Sequence, residues 1–571
     1  MRKGAILRIR IITGVVLFLA LILIGRLYHL QVMLHDVYAE KATRQYVHTV
    51  RDLYSRGSVF FTARDGEKVS AATIAAGYVL AIDPTRIQDV AKTYDALNAV
   101  YPISRELFFE KAVQTDKTYR ELAERVSSED GAKIEALQLT GVQLYRTQWR
   151  YYPGDDLASR IIGFIGYTAD DGNTLAGRYG LERYYDEVLT REDGRVSVNF
   201  FAEIFSNIGS VIFDTTKSRT GDIITSIEPT VARMLDRELQ KVQDTYSSKL
   251  TGGIIINPKT GEIYALNAIP TFNLNDKKDA SIEAFRNPLV EDVYEMGSII
   301  KALTMAAGLD SGAVAPSTTY YDAGHIDLDT YTIKNYDGRG RGTVNMQQVL
   351  NQSLNTGVSF IVKTMGKNKF RDYFYKLKIA SETGIDLPNE TYGLIENLKS
   401  PRDVEYATAS FGQGIAITPI ATVRALSSLA NGGTLVTPHL ATKIEYQDGT
   451  SKEIVYPEGD RVFSKETSEE ISRMLTGVVD EALGGGKVKL EHYSIAAKTG
   501  TAQIAKPTGG YYDDRYLHSF FGYFPAYDPQ YLVFLYTVEP KGVKYASETL
   551  TAPFMELAKF LLNYYNVPPD R

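Results

Sequence analysis

Apolar and polar positions divide this chain of 571 residues into stretches with different periods. Ile11 to Gly25 runs without a charge, behind a head carrying Arg2, Lys3, Arg8 and Arg10 and no acid. That run is shorter than the ~20 residues a membrane span usually takes. Leu27, Leu30 and Val32 extend it, and Arg8, Arg10 and Arg26 can snorkel toward the headgroups. Arg26-Leu27-Tyr28-His29-Leu30-Gln31 follows directly and offers no small-x-small cleavage site. The pattern therefore predicts a retained single-pass anchor within residues 1–34. The basic head would stay in the cytoplasm and everything after the anchor would lie outside. No second hydrophobic run reaches spanning length.

Past the anchor, Thr49 to Val59 and Tyr78 to Ile82 alternate as strands do, and Asp83-Pro84 breaks the second. Ile87 to Asn98 and Phe108 to Arg125 read as amphipathic helices. Ser128-Glu129-Asp130 reads as a helix cap before Ile134 and Leu137. From Pro229 a helix (Val231 to Tyr246) leads into a hairpin, Gly252 to Asn257 and then Ile263 to Leu266. Helices dominate from Ser298 to Leu429. Strand-like runs return at Tyr493 to Ala497, Phe520 to Phe524 and Tyr531 to Val538. Strands at both ends with helices between them predict an α+β sandwich. The expected division is an anchor over 1–34, a mixed α/β spacer over 35–228, and an α+β domain over 229–571 that closes the chain.

Length requires more than one core. A hydrophobic content of 44% and a charged content of 23% are ordinary for globular chains. The net charge of -6 is spread along the sequence, so no basic face asks for nucleic acid. The chain has no cysteine, which suits an extracytoplasmic compartment. Seven histidines show no metal-binding spacing, and no metal or cofactor is expected.

Candidate chemistry lies in three short motifs that occur in one order: Gly297-Ser298-Ile299-Ile300-Lys301, Ser353-Leu354-Asn355 and Lys498-Thr499-Gly500-Thr501. A serine hydroxyl needs a base to become a nucleophile. Positions i and i+3 share a helix face, so Lys301 can serve Ser298. Lysine is a base only when neutral; burial and a neighbouring cation, for which Lys498 is the candidate, would depress its pKa. Taken singly, each motif is weak. Lys259-Thr260-Gly261 even repeats the third motif in a turn before the serine. Taken in order, with Ser298 leading the apolar run Ala302 to Leu309, they match the set of penicillin-binding proteins and class A β-lactamases.

At this point the chain resembles the class B penicillin-binding proteins, the monofunctional peptidoglycan transpeptidases. Phe411-Gly412-Gln413-Gly414, Ala430-Asn431-Gly432-Gly433 and Gly384-Ile385-Asp386-Leu387-Pro388 extend the likeness. So do Arg56-Gly57-Ser58-Val59, Arg150-Tyr151-Tyr152-Pro153 and Gly180-Leu181-Glu182, in the region of the family's membrane-proximal pedestal. Met296 stands where the family usually has proline, Arg160 where it has histidine, and Glu228-Pro229-Thr230 where an Asp and a Gln are common.

The resemblance implies a penicillin-binding/serine β-lactamase-like domain, an antiparallel sheet with helices on both faces, after a pedestal and a transmembrane helix. It implies that Ser298 is acylated by a stem peptide or a β-lactam, with Lys301 as base. Ser353 would relay a proton, and Asn355 would position substrate and Lys301. Lys498, Thr499 and Gly500 would line an edge strand, with the N–H groups of Ser298 and Thr501 as the oxyanion hole. Implied partners are lipid-linked nascent glycan with its stem peptides, and a multi-span SEDS-family glycosyltransferase. A D,D-carboxypeptidase and a membrane-anchored scaffold stay open as alternatives. A β-lactamase fits poorly with an anchor and pedestal, and a penicillin-sensing receptor would carry several spans. His518 is expected on an edge strand without a catalytic role, Trp149 in pedestal packing, and Tyr511 and Tyr512 at the cleft border.

Overall fold

A computed structural model of the protein describes Gly14 and residues 56–168, 175–190 and 220–571. The expected anchor lies outside these residues except for Gly14, and so does the first expected strand before Arg56. Among the described residues no helix is long and apolar enough to cross a membrane.

The chain packs as two compact units. One is built on Ile74–Arg150, the other on Gly57–Thr73, Tyr151–Arg191 and Asn207–Arg571. Packing thus does not follow chain order, and segments on both sides of residue 228 share the second unit.

In the first unit, the Gly77 to Ile82 end of strand Lys68–Ile82 pairs antiparallel with Arg120–Ser127. Helices Val90–Val100, Arg105–Ala112 and Ser128–Ala136 enclose a core of Leu80, Ile82, Leu97, Phe108, Leu122, Val126 and Ile134. The helix expected from Phe108 to Arg125 is half wrong. It ends at Ala112, and the rest of that stretch turns into the strand. Leu122 and Val126, four apart, suggest a helical stripe. They reach the same core because residues four apart also share a face of a strand. Two register shifts interrupt the ladder nearby, with Arg125 at φ +58°. The cap of the following helix is Ser127, whose hydroxyl accepts from the Asp130 N–H, one residue before the expected position. Trp149 packs here over Gly77, where a Cβ would meet its ring at 2.8 Å.

The second unit is organised by a five-stranded, wholly antiparallel sheet. Its spatial order is Ala496–Ala505, Tyr511–Phe524, Tyr531–Val538, Leu250–Ile256, Ile263–Ile269. Alternation along Tyr511–Phe524 covers both faces. Phe520 stacks on Phe554 of the C-terminal helix Thr551–Tyr564, and Phe524 meets the same ring edge-on. Tyr523, pointing the other way, meets the Ser472 hydroxyl of helix Lys465–Gly477 at 2.8 Å. The helix expected at Val231 to Tyr246 spans Pro229–Tyr246, capped by the Glu228 carboxylate on the Val231 N–H at 2.6 Å. Lys259-Thr260-Gly261 is the tight turn of the hairpin before the last strand, with Gly261 at φ +89°. Arg160 is buried, and its guanidinium donates to the carbonyls of Ala268, Pro270 and Arg286, pinning Ser159–Ile162 to the sheet.

Candidate active site

Ser298 lies in a short 3-10 turn, Gly297–Ile299, that runs into helix Ile300–Asp310. Every residue of that helix from Ile300 to Gly308 is buried, so the apolar sequence drives it into the core and fixes its first turn. Gly297 has φ +64°, and a Cβ there would meet the Thr501 carbonyl at 2.8 Å. Gly500 is equally constrained: a Cβ would fall 2.3 Å from Ser519 Oγ and 2.8 Å from Met296 O. The serine turn therefore sits directly on the edge strand Ala496–Ala505, which carries the third motif. Ser519 Oγ donates to Met296 O at 2.7 Å, and the Gly297 N–H donates to Gly412 O at 3.2 Å. Met296, where the family usually has proline, takes part in this packing through its carbonyl.

Lys301 follows within the same apolar helix and has 0% exposure. Its Nζ donates to Ser353 O at 2.6 Å and to Ser353 Oγ at 3.2 Å, and its hydrogen bonds do not include Ser298. Lys498, 3% exposed, donates to the same Ser353 Oγ at 3.1 Å and to Thr499 O at 3.0 Å. One hydroxyl is thus shared by two buried amines. Ser353 reaches both because it adopts the left-handed conformation, φ +53°, at the end of the turn before helix Asn355–Met365. Burial, and secondly the charge of Lys498, hold the Lys301 amine well below the usual lysine range. Burial brings Lys498 down to about 8. Of the two amines, Lys301 carries both the burial and the neighbouring positive charge that favour its neutral, basic form.

Asn355 opens its helix and donates from Nδ2 to Lys334 O at 2.8 Å, away from the lysine it was expected to position. Thr499 and Thr501 are partly exposed on the edge strand, and Thr501 Oγ1 accepts from the Ala546 N–H at 3.0 Å. His518 pairs opposite Thr501 but lies on an interior strand, not an edge. Its ring nitrogens bond Thr549 Oγ1 at 2.9 Å and Lys544 O at 3.0 Å, and burial pulls its pKa to about 4. It is a neutral clasp behind the site. The Tyr511 hydroxyl donates to Glu295 Oε1 at 3.1 Å, and Tyr512 lies under the Arg515 guanidinium.

Sequence reasoning missed the support behind the second motif. The buried Asp322 carboxylate accepts from Thr356 Oγ1 at 2.8 Å, from Asn335 Nδ2 at 3.0 Å and from the N–H groups of Gly324 and Arg341. It ties the hairpins before residue 345 to the residue after Asn355. The one available signal was a carboxylate in a run with no nearby cation to pair it.

Residues 251–558 match the penicillin binding protein transpeptidase domain, more than half of the chain, and residues 56–223 match the penicillin-binding protein dimerisation domain. Stage V sporulation protein D of Bacillus subtilis is 32% identical over 557 residues, covering 95% of this chain and 83% of the relative. This chain belongs to the class B penicillin-binding proteins. FtsI of Escherichia coli K12, named a peptidoglycan D,D-transpeptidase, is 25% identical over 99% of this penicillin-binding protein and 92% of its own length. In fold it is similar to the crystal structure of penicillin binding protein 2X from Streptococcus thermophilus. That likeness has a TM-score of 0.72 and 20% identity over 91% of this chain and 81% of that one.

Proposed function

We propose that the protein is a peptidoglycan D,D-transpeptidase that works through a Ser298 acyl-enzyme. The observation that carries this reading is the pair of buried amines, Lys301 and Lys498, that share the Ser353 hydroxyl, with Lys301 one helical turn from Ser298. Lys301 takes the Ser298 proton as Oγ bonds to the carbonyl carbon between two D-alanines of a stem peptide. The tetrahedral oxyanion is held by the N–H groups of Ser298 and Thr501. The C–N bond then breaks, and the proton passes from Lys301 through Ser353 to the departing D-alanine nitrogen. Ser353 suits the relay because a hydroxyl has two lone pairs and one proton. Lys498 and Thr499 receive the terminal carboxylate, the donor peptide lies along the edge strand, and Asn355 orients it from the opposite wall. A second stem peptide's amine attacks the ester, the cross-link forms, and Ser298 regains its proton. β-Lactams acylate the same serine.

On this reading residues 1–34 anchor the protein in the cell membrane, 35–228 form the pedestal, and 229–571 act outside the cytoplasm. A multi-span SEDS-family glycosyltransferase supplies the nascent glycan. The full-length match to FtsI supports a septal role. Mass spectrometry of the intact protein after penicillin exposure tests the proposal: a stable adduct on Ser298 is expected. Labelling of Ser298→Ala at the normal level would overturn it, and rapid loss of the adduct would point to hydrolysis rather than transfer.

A further inference from the structure

We propose that Glu295 is a positioning residue for acylation, locking the edge-strand hairpin and the Gly412–Gly414 loop onto the serine turn. The proposal rests on the Ser298 reading above. Glu295 lies three residues before Ser298, in the segment that enters the turn. Its Oε1 accepts from the Gly414 N–H at 3.0 Å and from the Tyr511 hydroxyl at 3.1 Å. Each donor comes from a segment that touches the chemistry elsewhere. The Gly414 loop also gives the Gly412 carbonyl to the Gly297 N–H, and Gly412 packs so closely that a Cβ would lie 2.3 Å from Gly297 O. Tyr511 begins the strand opposite the edge strand, pairing with Ala505, and that strand sets the register of Lys498 against Phe521 and Thr501 against His518. One carboxylate oxygen therefore joins the nucleophile's turn, the loop behind it and the hairpin that carries the third motif.

The second oxygen, Oε2, is buried with no hydrogen-bond partner. An orphaned buried acceptor is costly and persists where another role retains the group. Burial pushes this carboxyl up to about 7, opposed by the two donors on Oε1. A proton would sit on Oε2, leaving both tethering bonds in place.

Stopped-flow acylation of the full-length protein by a fluorescent penicillin separates the rate at saturation from the half-saturating concentration. Glu295→Ala is expected to lower the saturating rate ~10-fold or more, since small misplacements near reacting atoms are expensive. Half-saturation should hardly move. Glu295→Gln keeps an acceptor oxygen and should restore the rate to within ~3-fold of wild type. Tyr511→Phe removes the hairpin's donor alone and should lower the rate ~3-fold or more, with no further loss when combined with Glu295→Ala. A wild-type saturating rate in Tyr511→Phe, or strictly additive losses in the double variant, would overturn the proposal. Tyr511→Phe keeps the test open if Glu295→Ala does not fold. The Ser298→Ala control stands apart: labelling there defeats the parent reading whatever Glu295 does.

Discussion

Lys133 and Lys301 are the same residue type used in opposite ways. Lys133, in the last turn of helix Ser128–Ala136 of the first unit, is half exposed and lies 2.8 Å from Glu129 and 3.2 Å from Asp130. Hydrogen bonds to those carboxylates hold its pKa up. Lys301, in the apolar helix of the second unit, has no exposure, no carboxylate among its hydrogen-bond partners, and the Lys498 amine beside it. The first arrangement leaves a charge where water and acids tolerate it. The second holds an amine where charge is disfavoured, so that it stays a base. The difference teaches that reactivity here is made from an unfavourable environment that the surrounding core must offset.

Lys301→Met should break the comparison most sharply. Methionine fills similar volume without the amine. Acylation by a fluorescent penicillin should fall ~10²–10⁴-fold, the range for losing a general base. The melting temperature at neutral pH should hold or rise, because no amine has to be buried. A fall in both together would mean that Lys301 is structural. Ser353→Gly comes next. The glycine accepts φ +53° more easily than serine but removes the hydroxyl both amines share. Acylation should drop ~10²-fold with no loss of stability, read by labelling rate and thermal melting side by side.

How far the sequence could show this contrast depended on distance along the chain. Tyr531–Val538 was legible to the residue, because all eight positions are buried and all but Thr537 are apolar or aromatic. The strand of the third motif was expected at Tyr493 to Ala497 and runs Ala496–Ala505, since Lys498-Thr499-Gly500-Thr501 has no hydrophobic period to announce it. Ser298, Lys301, Ser353 and Lys498 were nameable because ordered motifs mark them, and the structure brings the last three onto one hydroxyl. Glu295 was not nameable: its two partners are 119 and 216 residues away. Asn355 was named, but its amide points to a hairpin whose position only the fold supplies. In the first unit Leu122 and Val126 have a spacing, four apart, that helices and strands share.

The pH dependence sharpens the comparison further. Acylation should rise with pH as Lys301 deprotonates, below the usual lysine range. It should fall again as Lys498 loses its charge through about 8. Lys498→Met should remove the alkaline limb, measured as acylation rate from pH 5 to 10. Stability carries the matching sign. Lys498 is more easily deprotonated folded than unfolded, so its burial cost is present in full below about 8 and is relieved as pH rises toward the unfolded value of 10.5. At one pKa unit per 1.36 kcal/mol that cost is about 3 kcal/mol. Lys498→Met should therefore melt higher than wild type at pH 7, with the gain shrinking as pH rises above about 8.

The smallest effect isolates backbone strain from chemistry. Arg125 in the bulge of strand Arg120–Ser127 has φ +58°, nearly the angle of Ser353. The left-handed conformation costs a side chain about 1–2 kcal/mol, and glycine's extra chain entropy returns about 0.5–1 kcal/mol of any relief. Arg125→Gly should thus stabilise the first unit by about 1 kcal/mol or less, seen as a small rise in its urea midpoint, while penicillin labelling stays at the wild-type rate. The same substitution at Ser353 relieves the same kind of angle and abolishes most of the labelling. If Arg125→Gly also slowed labelling, the strained angles could not be divided into one that shapes a bulge and one that aims a hydroxyl. The contrast between a unit that satisfies its charges and a unit that exploits them would then lose its backbone half.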